Sequence, residues 1–249
     1  MIKTERRGAV LRITLSRPEK RNAISRAMIE ELTGALRESA QDEDTRVVLL
    51  DAEGPDFCAG MDIAELAETA DAGVAEHREA ASRLAELYRM MRRHPRPMIA
   101  AVRGRALGGG CGLAMSSDVV IASESAQFGF PEVKIGFVPA IVMSLLRRSV
   151  GEKKAFDLLT SGRPVGAREA FEIGMISRVF TDAEFEAAVE AYVKRLAETS
   201  ATAVGMTKKL LYSIDGMSFD AAMDAGVQMN ALARMTDDAR RGFERFGKK

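Results

Sequence analysis

Between residues 104 and 115 the chain reads Gly-Arg-Ala-Leu-Gly-Gly-Gly-Cys-Gly-Leu-Ala-Met, with an apolar strand pattern before it and a helical apolar run after it. Glycines 108, 109, 110 and 112 let the main chain turn sharply and approach a ligand or another backbone closely. The helix that follows begins with N–H groups that have no intrahelical acceptor. Such a terminus attracts negative charge, either a permanent phosphate or an oxyanion that exists only during a reaction.

Around this segment the hydrophobic pattern alternates between strand and helix. Val10-Leu11-Arg12-Ile13-Thr14-Leu15 alternates as a strand, and Val47-Val48-Leu49-Leu50 reads as a strand buried on both faces. Ser25 is placed as N-cap of a helix whose Ile29, Leu32 and Leu36 share one face. The amphipathic stretch from about Val74 to Arg93 predicts a long helix ahead of Pro95 and Pro97, after which Met98-Ile99-Ala100-Ala101-Val102 resumes strand character. Asp118-Val119-Val120-Ile121-Ala122 predicts another short strand. Beyond Pro139 helical periodicity prevails, broken by a short strand at Ile176-Ser177-Arg178-Val179. The fold class is α/β, with a sheet-based core over residues 1–190 and a helical region over 191–249 that packs on the core or on another subunit. Met206, Leu210, Leu211, Met217, Met223, Met229, Leu232 and Met235 of that region read as adaptable core packing.

Composition excludes several functions. Lys plus Arg and Asp plus Glu both number 36, a formal net charge of +0, so no global field steers the chain to nucleic acid or acidic lipid. Charges interrupt every apolar segment before the ~18 residues that a membrane span needs. Cys58 and Cys111 lie far apart in sequence and no charged-then-apolar leader precedes the first strand, so the expected setting is a reducing cytoplasm. His77 and His94 have no companion at metal-ligand spacing and read as surface histidines, so no metal is expected. A Gly-x-Ser-x-Gly elbow is absent. The glycine cluster fails as a P-loop, because Gly110-Cys111 stands where Lys-Ser or Lys-Thr is required, and its spacing also misses the dinucleotide pattern.

Two further loops accompany it. Phe57-Cys58-Ala59-Gly60-Met61-Asp62-Ile63 follows the buried strand, and in Ala126-Gln127-Phe128-Gly129-Phe130-Pro131-Glu132 a proline fixes the backbone just ahead of a carboxylate. Loops at strand ends are where α/β sheets bind ligands. Together, Phe57 to Ile63, Ala106 to Cys111 with Asp118 following, and Gln127 to Glu132 resemble the enoyl-CoA hydratase/isomerase, or crotonase, superfamily. Arg17-Pro18-Glu19-Lys20-Arg21-Asn22-Ala23 and the stretch from Thr236-Asp237-Asp238 through Phe246 extend the resemblance over essentially the full length.

The resemblance implies a core of repeated ββα units, a C-terminal helical trimerisation region, and a homotrimer or homohexamer. It implies an acyl-CoA substrate and no separate cofactor, since CoA is part of that substrate. By position in the motifs, the N–H groups of Met61 and Gly109 form an oxyanion hole for the thioester carbonyl, and Glu132 is the acid/base. Asp62 and Ile63 line the same substrate loop, while Lys20, Arg21 and Ala23 with Ala59 and Gly60 contact the CoA, Lys20 or Arg21 lying near phosphate. Deleting one oxyanion donor typically costs ~3–4 kcal/mol, so a turn of this kind can supply much of catalysis without a side chain.

Two departures from the family pattern bear on the reaction. Two-carboxylate hydratases carry one glutamate directly after the Gly-Gly-Gly-Cys run; here that position is Gly112, and only the second, Glu132, is present. Glu65 and Glu68, on the helix after Asp62, read as a solvated face. Ile141-Val142-Met143 replaces a more glycine-rich stretch, adds apolar bulk near the acyl pocket, and resembles branched-chain methylglutaconyl-CoA hydratases. The expected activity is enoyl-CoA hydration. Double-bond isomerisation by Glu132 alone, and acyl-CoA binding without catalysis, remain open.

Overall fold

The computed structural model describes residues 1–247. Lys248 and Lys249, which close the expected C-terminal region, lie outside the described residues. The chain opens with a hairpin of β1 (Ile2–Arg7) and β2 (Val10–Leu15), then α1 (Arg26–Gln41) and β3 (Val47–Ala52). The short α2 (Ile63–Glu68) and long α3 (Val74–Arg93) lead to β4 (Met98–Val102), β5 (Arg105–Leu107), α4 (Gly109–Ser116), β6 (Val119–Ser123) and β7 (Gln127–Gly129). The rest is mainly helical: α5 (Ala140–Ser149), α6 (Glu152–Ser161), α7 (Ala167–Glu172), α8 (Phe185–Ala197), α9 (Ala201–Ser213), α10 (Phe219–Arg234) and α11 (Asp237–Gly247). Two strands interrupt it, β8 (Val165–Gly166) and β9 (Arg178–Phe180).

These strands sort into two sheets. One has the order β1-β2-β3-β4-β6-β9, parallel except for the β1–β2 pair; the other has the order β5-β7-β8. β4 with β5, and β6 with β7, each give one strand to each sheet before a helix follows, which is the expected ββα repeat. β3 does the same more weakly, since the chain after it bridges Cys58 to Ala106 of β5.

The central strands are covered on both faces, which explains their unbroken apolar runs. Val48, Leu50, Ala100 and Val102 face the main core with α1, α3 and α4, whereas Val47, Leu49, Ile99 and Ala101 meet Phe185, Val189 and Val193 of α8. The expected boundary at residue 190 therefore falls inside a helix packed on the sheet. Ser25 caps α1 by accepting the Met28 N–H at 3.1 Å, and Ile29, Leu32 and Leu36 are buried as the spacing requires.

Three expectations change. The strand placed at Ile176 begins at Arg178, because Ile176 turns into the core. His94 is not a surface residue: it is buried beyond the end of α3, 3.1 Å from Ser39 Oγ, and burial lowers its pKa to about 4. The C-terminal methionines do not fill a core within this chain. Leu211, Met217, Met223, Leu232 and Met235 are exposed, as are Phe219 and Val227, and Met206, Leu210 and Met229 are only half-buried. Among the described residues no helix is long and apolar enough to cross a membrane.

A buried ion pair ties α9 to the sheet. Lys208 Nζ reaches Asp118 Oδ2 at 2.7 Å and also donates to the carbonyls of Met91 and Arg96 at 3.0 and 3.1 Å. The same carboxylate accepts the Met98 N–H at 2.6 Å and the Tyr212 hydroxyl at 2.7 Å. Removing one partner of such a pair strands the other charge out of water. Lys208→Ala should therefore lower unfolding stability by about 3–5 kcal/mol, read from denaturant titration.

Candidate active site

Three loops converge beside the second sheet. In the first, the buried Asp56 accepts from Arg105 Nε and Nη2, both at 2.7 Å, and from the Arg105 N–H at 3.1 Å, which holds its carboxyl below the usual range. This clamp sets the chain running beside β5, where Cys58 N–H donates to Arg105 O and Leu107 N–H to Cys58 O, both at 2.9 Å. Three residues on, the loop pairs in parallel with Ile24: Ile24 N–H donates to Gly60 O at 2.7 Å and Asp62 N–H to Ile24 O at 2.9 Å. That pattern turns the intervening Met61 N–H away from Ile24. Among the described residues it has no acceptor.

The second loop is the glycine turn. Gly108 donates to Gly129 O at 2.8 Å and adopts φ 49°, ψ −118°, a conformation that disfavours any residue with a Cβ. A Cβ there would also lie 2.8 Å from Glu132 Oε1. Gly110 needs its missing side chain for another reason, since a Cβ would stand 2.3 Å from Cys58 O and 2.7 Å from Cys58 Sγ. The start of α4 is thus pressed onto the first loop. Gly109 is the first helical residue, and among the described residues its N–H has no acceptor. The Cβ position of Gly60 lies 3.8 Å from Gly109 N, so the two unpaired donors belong to touching segments.

Glu132 comes from the third loop, in a short 3₁₀ turn, Pro131–Ile135. Its carboxyl is half-buried, Oε2 is out of water without a hydrogen-bond partner, and burial raises its pKa above the ordinary carboxyl range. No cation offsets that penalty among the described residues. A proton-hungry carboxylate next to unpaired N–H donors can move a proton while the donors hold developing negative charge.

The remaining expected residues fall around this centre. Lys20 and Arg21 are exposed on a turn in which Ala23 N–H returns to Lys20 O at 3.0 Å, and Arg21 O accepts the Ala59 N–H at 3.0 Å. That bond joins the expected CoA segments to each other. Asn22, fully buried, locks the turn by accepting the Arg17 N–H and donating to the carbonyls of Glu53 and Asp56. Asp62 is committed to structure: it pairs with Arg17 at 2.7 Å and caps α2 through the Ala64 N–H at 3.0 Å, and the Arg17 bond depresses its carboxyl. Ile63 is exposed on the first turn of α2. Glu65 accepts the Arg26 N–H at 2.9 Å, at the start of α1, and Glu68 is exposed.

Sequence reasoning passed over Tyr88. It lies on the buried face of α3 with Leu84, Leu87 and Met91, and its hydroxyl donates to Gly109 O at 2.6 Å. A phenol on an otherwise apolar stripe was the available signal, since a buried hydroxyl has to find an acceptor. Of Ile141, Val142 and Met143, Ile141 alone lines a cavity of about 1280 Å³ between α3, α5 and α9, and Tyr88 also borders it. Val142 is buried in the core and Met143 is exposed. Neither thiol is poised to react: burial pushes the Cys58 pKa up to about 12 and raises Cys111 likewise. Among the described residues no group of three His, Cys, Asp or Glu is placed to hold a metal ion.

Comparison with known proteins places the whole chain beside one family. The family model described as enoyl-CoA hydratase/isomerase matches residues 5–249. A Thermus thermophilus protein provisionally named an enoyl-CoA hydratase is 36% identical over 249 residues, covering 100% of this chain and 98% of that protein. The crystal structure of an enoyl-CoA hydratase from Mycobacterium smegmatis superposes with a TM-score of 0.95 at 30% identity, covering 99% of this chain and 96% of that one. Human enoyl-CoA hydratase domain-containing protein 3 gives a TM-score of 0.95 at 30% identity, over 99% and 97% of the two chains.

The raised Glu132 carboxyl has a consequence for stability. A group that binds its proton more tightly when folded destabilises the fold once pH exceeds its unfolded pKa. Glu132→Gln should therefore melt higher than the parent at pH 8, with the gap closing as pH falls from the raised carboxyl pKa down to the ordinary glutamate range. Paired thermal scans across pH would show it.

Proposed function

The chain belongs to the enoyl-CoA hydratase/isomerase family, and on that basis we propose that it hydrates the double bond of an enoyl-CoA thioester with Glu132 as its single acid/base. The observation that carries this reading is the half-buried Glu132 carboxyl, its Oε2 out of water and unpaired among the described residues, set against the glycine turn. In the proposed reaction Glu132 takes a proton from water as the water oxygen bonds to C3. The C2–C3 electron pair moves through the carbonyl, and the N–H groups of Met61 and Gly109 hold the oxyanion. The enolate then collapses and C2 receives the proton from Glu132, so one carboxyl serves both transfers.

Gly112 favours a second reading. Without a carboxylate at that position, Glu132 can instead remove a proton from C2 of a 3-enoyl-CoA and return it at C4, shifting the double bond into conjugation. Lys20 and Arg21, exposed and outside any ion pair among the described residues, suit the CoA phosphates. The buried, unpaired cysteines suit a reducing compartment, for which the cytoplasm is our reading.

Incubation with crotonyl-CoA tests the first reading through loss of the conjugated thioester absorbance; a 3-enoyl-CoA would gain that absorbance under the second. Glu132→Gln should reduce whichever turnover is found by at least about 100-fold, the usual range for a general acid/base. Wild-type activity should rise with pH along a limb set by a carboxyl above its ordinary range. Gly109→Val, whose Cβ would lie 3.2 Å from Ile24 Cδ1, should obstruct the thioester and abolish activity in folded protein. Failure on both substrates would leave an acyl-CoA-binding homologue without catalysis.

The exposed apolar residues of α10 support assembly through the C-terminal helices into a trimer or hexamer. Val227→Asp, which puts a charge into that face, should reduce the mass measured by light scattering toward that of one chain.

A further inference from the structure

We infer that Tyr88 is a positioning residue that fixes the Gly109 donor, and that its phenol takes the volume a side chain at position 112 would need. This rests on the oxyanion role proposed for Gly109. The turn entering α4 is intrinsically loose, with four of its five residues from 108 to 112 glycine and no side-chain cap at Gly108. An oxyanion donor contributes only if its direction is set before the charge develops. Backbone bonds hold part of the turn, Gly112 N–H to Gly108 O at 3.0 Å and Gly108 N–H to Gly129 O at 2.8 Å, and three side chains from three segments pack against residue 109. A Cβ on Gly109 would lie 3.2 Å from Ile24 Cδ1, 3.5 Å from the Tyr88 hydroxyl and 3.6 Å from Met61 Sδ. Of these, Tyr88 alone is bonded to the turn, donating to Gly109 O at 2.6 Å.

The same ring closes the space above Gly112. A Cβ at that position would stand 2.5 Å from the Tyr88 oxygen, 2.6 Å from Cζ and 2.8 Å from Cε2. Tyr88 is 3% exposed and bonded to Gly109 O, so a ring pushed toward the cavity that it borders would lose that bond. Gly112 and Tyr88 thus form a steric pair: a glutamate at 112 and a tyrosine at 88 exclude each other. Burial, reinforced by the nearby thiols and Glu132, holds the phenol well above its usual pKa, so it remains a donor throughout the working range. It does not act as a base.

The test compares wild type with Tyr88→Phe, which keeps the ring and deletes the bond. Two ligands are titrated: butyryl-CoA, whose carbonyl stays neutral, and acetoacetyl-CoA, whose thioester enolises readily and loads the oxyanion donors with charge. In wild type acetoacetyl-CoA should bind the tighter. In Tyr88→Phe that preference should fall about tenfold, with butyryl-CoA affinity kept within about twofold and kcat falling more than KM rises. An unchanged preference and kcat in folded Tyr88→Phe overturn the positioning role alone. Wild type that binds neither thioester overturns the functional reading as well. For the steric pair, Gly112→Ala should destabilise the wild type clearly and Tyr88→Ala much less, by denaturant unfolding; additive effects overturn it.

Discussion

Backbone meets backbone at the start of α4 more closely than any side chain permits. Gly110 lies against the Cys58 carbonyl, and Gly108 lies against Glu132 while bonding to Gly129. Much else follows from this contact. It brings the strand-end loops from three successive ββα units to one place, and it leaves Gly109 N–H at the mouth of a helix without an acceptor among the described residues. A single methyl group at position 110 would wedge the helix away from the first loop and separate the two donors. The rest of the fold holds that contact in place: the Asp56–Arg105 clamp sets the register of the first loop, the Asn22 bonds fix the turn beside it, and Tyr88 presses in from α3.

The site balances opposed electrostatic demands. Two carboxylates near it are satisfied, Asp56 by Arg105 and Asp62 by Arg17, so their charges maintain structure. Among the described residues Glu132 is left without a cation, and its carboxyl is consequently pushed upward by burial. Acid strength is thus distributed by pairing, not by residue type. Asp56 and Asp62 lie below the ordinary carboxyl range and Glu132 above it because arginine reaches the first two.

Elements whose pattern depends on local periodicity were legible in the sequence. The limits of α3 match the amphipathic stretch from Val74 to Arg93, Ser25 caps α1 as its position requires, and Val47 to Leu50 forms a strand buried on both faces. The three loop motifs, placed at strand ends in the sequence, lie together beside the second sheet. What could not be read depended on contacts distant in sequence. β1, Ile-Lys-Thr-Glu-Arg-Arg, is too charged to announce a strand and forms because β2 offers it a full antiparallel register. His94 stands among arginines and prolines, yet Ser39, 55 residues earlier, completes its burial. Tyr88 has the helical spacing of a core residue, and only the space missing above Gly112 reveals what its hydroxyl reaches. The methionines of α9 and α10 mark a face that needs covering, but periodicity says nothing about what covers it.

The Lys208–Asp118 pair also relates to how the protein is made. Asp118 ends the turn before β6, in the middle of the chain, and its cation arrives 90 residues later. Until α9 emerges from the ribosome, the nearly finished sheet contains an acid that must either remain hydrated or bury itself uncompensated. The charge that offsets this acid thus lies in about the last fifth of the polypeptide, from α9 onward. A chain cut short before residue 208 keeps every loop of the site in its sequence but lacks the counter-charge of Asp118.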